Sequence, residues 1–242
     1  MSKKIALITG GNRGIGLETA SQLSQKGIHV ILGSRRREDG ETAAKKLRDA
    51  GLSAEAIKLD VTSIDDIRAA AQAVEKTHGH LDILINNAGI LDRSMAGRPS
   101  EEKLETWRRT FDTNLFGMIA VTQAFLPLLK KSAAGRIVNL SSGLGSLTLH
   151  SDPQSHLYGV KVAAYNVSKT AVNAWTVELA WELRDTGIKV NAADPGHVKT
   201  DMGGPDARLE LADGAQTVVD LALLGADGPT GAFIHRGNTQ PW

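Results

Sequence analysis

Short apolar runs rich in β-branched residues alternate along the chain with longer segments in which apolar residues recur at helical spacing. The short runs lie at 4–9, 29–34, 54–60, 81–86, 135–141, 188–194 and 232–235, and the helical segments lie at 15–26, 38–50, 64–78, 102–131 and 159–185. Continuous apolar runs are typical of strands buried on both faces, and strand followed by helix, repeated, builds right-handed βαβ units. The pattern predicts an α/β fold: a doubly wound parallel β-sheet with helices on both faces and 232–235 at the sheet edge.

No linker, internal repeat or low-complexity segment interrupts this alternation, so residues 1–242 are predicted to form a single domain. The least regular stretches are the loops 91–101, 143–157 and 197–210, each of which follows a predicted strand or strand end. Open α/β sheets bind their ligands outside the carboxyl ends of the strands. These three loops are therefore predicted to build the substrate site.

The composition excludes several classes of function. The chain has 28 Lys+Arg against 27 Asp+Glu, which argues against a nucleic-acid or membrane-surface binder. It has no cysteine, so disulfides, zinc–thiolate sites and thiol catalysis are excluded together. The first apolar run meets glycines after about five residues, too few for a signal peptide, and no apolar run is long enough to cross a membrane. We therefore expect a soluble, cytoplasmic protein with no nucleic-acid or membrane partner.

The first predicted strand runs directly into a glycine-rich stretch, TGGNRGIG, at 9–16. Gly10, Gly14 and Gly16 allow a tight turn and a close approach of the backbone to a pyrophosphate, whose charge suits the start of the following helix. Their spacing is G-x-x-x-G-x-G rather than the G-x-G-x-x-G of the standard dinucleotide fingerprint. The position between a strand and a helix favours phosphate binding over a plain turn.

Further motifs follow this loop in a recognisable order. They are LDV (59–61), NNAG (86–89), TNLFG (113–117), IVNLSS (137–142), YNVSK (165–169) and DPGHVKT (194–200). Together they cover nearly the whole chain and resemble the short-chain dehydrogenase/reductase family, and TGGNRGIGLE, TDMGGPDA and the terminal GPTGAF…PW look most like its carbonyl-reductase branch. The resemblance implies a Rossmann-type fold and a reversible, NADPH-dependent reduction of a ketone or aldehyde to an alcohol.

The nicotinamide cofactor can be predicted from the end of the second strand. An acidic residue there would bind the ribose 2′-hydroxyl of NAD, but this chain has Arg35, Arg36 and Arg37. A guanidinium can pair with the 2′-phosphate of NADPH, which a carboxylate would repel. One or two of these arginines are expected to form a solvated helix start balanced by Glu38 and Asp39. We assign the phosphate to Arg35, nearest the strand end, with Arg13 approaching from the glycine loop.

The resemblance supplies the rest of the cofactor site. Asp60 is expected to accept a hydrogen bond from the adenine amino group and Val61 to pack on its ring, while Pro195 and the residues after it hold the nicotinamide end. The complete predicted set is Gly10, Asn12, Arg13, Gly14, Ile15, Gly16, Arg35, Asp60, Val61, Asn87, Ala88, Gly89, Tyr165, Lys169, Pro195, Gly196, Val198 and Thr200.

Two tyrosine–lysine pairs compete for the role of proton donor. Carbonyl reduction builds charge on an oxygen, and a tyrosine whose ordinary pKa is about 10 needs a nearby ammonium to lower that pKa. Lys169 lies four positions after Tyr165 and leans back over it in a helix, whereas Lys161 is only three positions after Tyr158. We therefore predict that Tyr165 is the acid, and that Tyr158 and Lys161 belong to the helix entrance or a subunit surface.

Two further catalytic residues follow from the resemblance. Ser142 is expected to hydrogen-bond the substrate oxygen in preference to its competitor Ser141. Asn114 is expected to hold a helix bend and to position a water that relays protons to Lys169. No metal is assigned to this site.

The segment 147–159 is an insertion that lengthens the distance from Ser142 to Tyr165 relative to most of the family. Its His150, Asp152 and His156 could be imagined as a metal or Ser-His-Asp site, but turn and rim residues at the substrate mouth are favoured.

Three questions stay open at the level of sequence. The segments 102–131 and 159–185 correspond to helices through which the family commonly forms a homodimer or homotetramer, which the insertion could prevent. A non-catalytic dinucleotide-binding regulator and a nucleic-acid binder using Arg35 to Arg37 are the alternatives to a reductase. The natural substrate is not specified.

Overall fold

A computed structural model describes residues 3–94 and 96–242. Its strands are β1 (Ile5–Thr9), β2 (His29–Ser34), β3 (Ala54–Lys58), β4 (Ile83–Asn86), β5 (Arg136–Leu140), β6 (Lys189–Ala193), β7 (Phe233–His235) and β8 (Asn238–Thr239). They form one sheet in the order β3-β2-β1-β4-β5-β6-β7-β8, in which β1 to β7 are parallel and β8 pairs antiparallel with β7. The predicted doubly wound parallel sheet is confirmed.

Helices cover both faces of this sheet. They are α1 (Gly14–Gln25), α2 (Arg37–Asp49), α3 (Ile64–His78), α4 (Leu104–Phe111), α5 (Gly117–Leu129), α6 (Leu147–Ser151), α7 (Ala163–Glu182) and α8 (Leu211–Ala222). One apolar core joins the sheet to α3, α5 and α7, and a second joins its other face to α1, α2 and α8. None of the helices in the described ranges combines the length and apolar character needed to cross a membrane.

Several predicted boundaries differ from the structure. The helical segment 102–131 is two helices, α4 and α5, joined by a π-helical turn at Asp112–Phe116. The segment 159–185 becomes helical only at Ala163, so Tyr158 and Lys161 precede the helix. The run 232–235 is not at the edge of the sheet, because β8 pairs with its outer side.

Helix α8 was not predicted, because its Gly214 and its acidic residues weaken the apolar pattern of this short segment. The glycine is required by packing, since a Cβ there would overlap the side chain of Val198.

Parallel pairing brings the carboxyl ends of the strands to one edge. The glycine-rich loop follows β1 there, and the loops 91–101, 143–157 and 197–210 follow β4, β5 and β6 on the same edge. The first of these loops is tied to the start of α7, because Gly97 N–H donates to the Lys161 carbonyl at 2.7 Å. The predicted cofactor and substrate segments therefore face one another.

A buried arginine anchors α8 at the opposite edge. Arg136, at the start of β5, is 4% exposed, and its guanidinium donates to the carbonyls of Leu224 and Gly225, just beyond the end of α8, at 2.7–3.2 Å. It also donates to the carbonyls of Gly135 and Gly187 at 2.7 and 3.1 Å. Burial lowers the pKa of this guanidinium from its ordinary value. The carbonyls beyond the helix end are thus satisfied by one cation.

We expect Arg136→Met to lower the free energy of unfolding by about 2–4 kcal/mol, because it leaves several buried carbonyls without a donor. Denaturant unfolding of both proteins measures this difference. Arg98→Met is the matched control, since Arg98 forms an exposed ion pair with Glu101, and the stability of this variant should match that of the unsubstituted protein. Equal stability of the two variants would contradict the anchoring role.

Candidate active site

The glycine-rich loop has the conformation that its spacing predicts. Gly10 and Gly14 have positive φ angles of 62° and 54°, in the left-handed region that favours glycine. A Cβ on Gly16 would lie 2.5 Å from Asn87 Nδ2, so the start of α1 can pack on β4 only with glycine there. Asn87 Nδ2 in turn donates to the carbonyls of Thr9 and Gly10 at 2.8 and 3.1 Å. The Asn87 side chain therefore holds the glycine-rich loop against the end of β4.

The loop 197–210 closes against the glycine-rich loop. Arg13 Nη1 lies 2.9 Å from Asp201 Oδ2 in an exposed ion pair, and a Cβ on Gly14 would lie 3.6 Å from Thr200 Cγ2. Asn12 is half-buried, and Ile15 packs against the core on the α1 side. The structure brings the two ends of the predicted cofactor site together, with Arg13 directed to Asp201.

The three consecutive arginines differ in their surroundings. Arg36 Nε donates to Asp39 Oδ2 at 2.7 Å, and this hydrogen bond raises the pKa of Arg36. Arg35 is exposed at the carboxyl end of β2 and pairs with no residue of the described ranges. Arg37 begins α2 and is also exposed. Arg36 is therefore the arginine balanced by the helix start, and Arg35 keeps its guanidinium accessible beside the glycine-rich loop.

The predicted adenine contacts have different environments. Asp60 Oδ1 accepts from Thr62 N and Thr62 Oγ1 at 2.9 and 2.8 Å, in a tight turn after β3. Val61 is buried in the core between the sheet and α3, with 6% of its surface exposed. Its side chain offers little surface for a ring to pack on.

Ala88 and Gly89 continue the floor of the site from β4. Ala88 N donates to Thr9 Oγ1 at 3.0 Å. A Cβ on Gly89 would lie 3.4 Å from Asn114 Oδ1 and 3.7 Å from Lys169 Nζ. Gly89 therefore stands between the cofactor segment and two of the predicted catalytic residues.

The structure separates the two tyrosine–lysine pairs. Tyr165 and Lys169 lie one turn apart in α7, both buried, with Lys169 Nζ 5.6 Å from the centre of the Tyr165 ring. Lys169 Nζ donates to the Leu140 carbonyl at the end of β5, at 2.6 Å. Tyr158 is 45% exposed, and Lys161 Nζ contacts its ring and the His150 carbonyl outside the helix. Lys169 lies over the Tyr165 ring within one helix, as the spacing predicts, and its contact with Leu140 places the pair at the carboxyl edge of the sheet.

Burial governs the titration of both groups. It raises the pKa of Tyr165 to about 12, helped by the charge of Asp194 and opposed by a hydrogen bond with Ser142 and by Arg93. Burial also lowers the pKa of Lys169 to about 8. In the protein without cofactor, desolvation of the phenolate therefore exceeds the effects of Ser142 and Arg93, which lower the pKa of Tyr165. The expectation that Lys169 and an oxidised nicotinamide together lower this pKa stays a prediction.

The two serines after β5, Ser141 and Ser142, differ in burial and in the residues that they contact. Ser141 is only 2% exposed, and its Oγ donates a hydrogen bond to Asn173 Oδ1 at 2.6 Å. Ser142 is half-buried, accepts from Leu144 N at 3.2 Å, and is the serine that lowers the pKa of Tyr165 against the larger effect of burial. Ser142 is therefore the serine that faces Tyr165.

Asn114 lies in the π-helical turn between α4 and α5. Its Oδ1 accepts from Ile90 N at 2.8 Å, and its Nδ2 donates to the Ile90 carbonyl and to Ser168 Oγ at 3.0 Å each. The predicted bend is present. The Asn114 side chain connects this bend to Ile90, in the segment that follows β4, and to Ser168 in α7. π-Helical turns occur frequently at functional sites.

The motif DPGHVKT (194–200) follows β6 and forms the turn that borders the site there. Gly196 has a φ of 76°, and its N–H donates to Asp194 Oδ1 at 2.9 Å. Pro195 and Val198 are buried, and Thr200 Oγ1 accepts from Gly203 N at 2.9 Å. The predicted nicotinamide segment is thus a rigid turn.

Sequence reasoning missed one residue of this turn. Asp194 is 7% exposed, its charge contributes to raising the pKa of Tyr165, and its carboxylate lies 3.5 Å from His235 Nδ1. The signal was present, since Asp194 opens a motif that borders the predicted site, but acidity next to a proline is typical of plain turns.

The segment 147–159 is held against the end of the chain. It contains α6, followed by turns in which Asp152 Oδ1 accepts from Gln154 N at 2.9 Å. Thr148 N, in the first turn of α6, donates to the Trp242 carbonyl at 2.8 Å, and the Trp242 indole stacks on Phe233 at 5.6 Å between ring centres. His150, Asp152 and His156 do not assemble into a metal-ligand group in the described part of the chain.

Comparison with known proteins agrees with this geometry. A family model described as short chain dehydrogenase matches residues 4–209. Carbonyl reductase [NADPH] 1 of Mus musculus is 34% identical, with 100% of this chain and 99% of the relative covered. The short-chain dehydrogenase anuI of Penicillium roqueforti is 37% identical, with 93% of this chain and 91% of the relative covered.

Solved structures show the same architecture. The NADPH-bound carbonyl reductase from chicken fatty liver is 28% identical and superposes with a TM-score of 0.87, with both chains covered completely. The sequence motifs, the order of the strands and these relatives lead to one assignment. The chain belongs to the short-chain dehydrogenase family.

Proposed function

We propose that the protein is an oxidoreductase that uses NADPH to reduce a ketone or aldehyde carbonyl to an alcohol. The observation that carries this proposal is the pair of buried side chains Tyr165 and Lys169, with the half-buried Ser142, at the sheet edge that also holds the glycine-rich loop. The names of the mouse and chicken relatives support the direction and the cofactor. Loss of NADPH absorbance with a panel of aldehydes and ketones tests the proposal, and no loss with any of them would contradict it.

The residues present fit a dinucleotide phosphate. Gly10 and Gly14 form a cradle at the start of α1, where helix N–H groups favour an anion and the first turn carries no acidic residue. Arg35 offers a guanidinium where an acid would select NAD. We infer that Arg35 binds the 2′-phosphate, that Asp60 meets the adenine, and that Pro195 to Thr200 hold the nicotinamide end.

The catalytic roles follow from burial and contacts. When bound, the reduced nicotinamide supplies a hydride to the carbonyl carbon. Tyr165 donates its proton to the carbonyl oxygen, and Ser142 holds that oxygen by a hydrogen bond. A pKa of about 12 keeps Tyr165 protonated at neutral pH, as a general acid requires. Lys169, fixed by the Leu140 carbonyl, places a positive charge beside the phenolate that forms.

A non-catalytic, dinucleotide-binding regulator of the same fold is the alternative. This alternative is disfavoured because the chain has all four predicted catalytic residues, Asn114, Ser142, Tyr165 and Lys169.

We further infer that the chain acts as a single domain and forms a homodimer or homotetramer. Exposed apolar residues on α7, namely Val167, Val177 and Trp181, support such assembly, which light scattering can measure.

Arg35→Ala should weaken NADPH binding by about 10- to 150-fold, the equivalent of roughly 1.5–3 kcal/mol for one charge-assisted phosphate contact. NADH binding should not change. Fluorescence titration with both cofactors measures this difference. Arg36→Ala is the matched control, because Arg36 is already paired with Asp39, and it should bind NADPH like the unsubstituted protein. An equal loss of NADH and NADPH affinity in Arg35→Ala would remove the assigned role.

Tyr165→Phe should reduce turnover by about 10²- to 10⁴-fold, the usual contribution of a general acid, while NADPH still binds. Tyr158→Phe is the comparison, since it removes only an exposed hydroxyl outside α7 and should leave turnover within a few-fold. Steady-state rates and NADPH titration of both variants test the assignment. The reverse pattern, an inactive Tyr158 variant and an active Tyr165 variant, would overturn it.

The pKa of Lys169 should appear in the pH dependence of stability. Because burial lowers this pKa from 10.5 to about 8, the unfolded chain holds more protons than the folded protein above pH 8. The free energy of unfolding should therefore rise with pH, by roughly 2 kcal/mol between pH 8 and pH 10 from this group. Lys169→Met should lose this rise, as denaturant unfolding across the range can show. Parallel pH profiles for both proteins would contradict the buried, titrating ammonium.

A further inference from the structure

Three side chains that commonly bind metals converge at the sheet edge opposite the glycine-rich loop. His29 is the first residue of β2, Glu55 is the second residue of β3, and His78 is the last residue of α3. Their ligand atoms all lie within 4.8 Å of one another. The three residues are far apart in sequence and are brought together only by the parallel register of β2 with β3 and the return of α3.

The distances within this trio are close to those of a metal site. His29 Nε2 lies 3.5 Å from Glu55 Oε1, and His78 Nε2 lies 2.7 Å from the same oxygen. Two ligands of a tetrahedral zinc ion, at bond lengths of about 2.0–2.2 Å, are roughly 3.4 Å apart. The first pair already has this separation. The second pair is hydrogen-bonded and would have to move apart by about 0.7 Å, within the rotation of a partly exposed glutamate.

The surroundings of His29 orient one of its nitrogens toward the trio. Its Nδ1 is 2.8 Å from Ser53 Oγ, while its Nε2 is buried and has no hydrogen-bond partner in the part of the chain that the structure describes. Histidines that bind metals usually hold the outer nitrogen on an oxygen in this way, which leaves the inner lone pair directed at the ion. This nitrogen faces Glu55 Oε1 at 3.5 Å, too far for a strong hydrogen bond, and an ion between the two atoms would bind both.

We propose that His29, Glu55 and His78 bind a zinc ion, with a water completing the tetrahedron. Two imidazole nitrogens and one carboxylate match zinc, whereas Mg²⁺ and Ca²⁺ take oxygen ligands. The side chains are 20%, 41% and 15% exposed, so an ion can enter from solution. The site would join the edge strand β3 to β2 and α3. It lies away from Tyr165, and its role is to stabilise the fold.

Equilibrium dialysis against ZnCl₂ should give one high-affinity ion per chain, and thermal unfolding should shift to higher temperature with Zn²⁺ but not with Mg²⁺. Ser53→Ala should weaken zinc binding by about 10- to 100-fold, the usual effect of removing a residue that orients a ligand. His29→Gln and His78→Gln should weaken it further. His80→Gln is the matched control, because His80 pairs with Asp82 and should leave binding unchanged.

Circular dichroism of each variant without metal separates a lost ligand from a lost fold. If the histidine variants do not fold, Glu55→Gln and Ser53→Ala decide the question. Zinc binding that survives intact in the folded ligand variants would place the ion at other histidines and overturn the proposal. The absence of one bound ion per chain in the unsubstituted protein would also overturn it, leaving the trio as a cluster of ion pairs.

Discussion

Parallel strand pairing is the constraint that determines which residues meet at each of the two edges of the sheet. It forces every connection to cross a face of the sheet, so all carboxyl ends of β1 to β7 lie on one edge and all amino ends on the other. The glycine-rich loop, Tyr165 and the turn at Asp194 to Thr200 therefore meet at the first edge, although they are distant in sequence. The same register brings His29, Glu55 and Arg136 to the second edge.

The interior beneath the active site is more polar than an ordinary core. Asn86 Nδ2 donates to Asn139 Oδ1 and Thr122 Oγ1, and Asn139 Nδ2 donates to Thr176 Oγ1, all at 2.9 Å. These bonds tie β4 and β5 to α5 and α7 directly below the predicted catalytic residues. A different arrangement would leave these buried amide donors without partners, so the network admits few alternatives. Such rigidity holds Tyr165 and Lys169 in place, although both are unfavourable to bury when charged.

Much of the fold was predictable from the sequence, because long apolar runs and helical periods are local signals. Helix α8 and β8 were not, since a glycine required by Val198 and a two-residue strand leave no period to detect. The position of Lys169 one turn after Tyr165 was predictable from side-chain direction within one helix, while the choice of Tyr165 as the acid stays a prediction. The raised pKa of Tyr165 was not, because it depends on how completely distant segments exclude water. The convergence of His29, Glu55 and His78 was likewise invisible, since it arises only from pairing between strands.

The contact between the end of the chain and α6 has a mechanical consequence. The N–H of Thr148 is held by Trp242, and Trp242 is held by the ring of Phe233 in β7. The segment that contains α6 extends from β5 but is thus held by β7, through the end of the chain. The two contacts act in series, so loss of either the hydrogen bond or the ring stacking releases α6 from β7. A substitution that removes either aromatic ring should therefore loosen α6, although α6 lies far from both rings in the sequence.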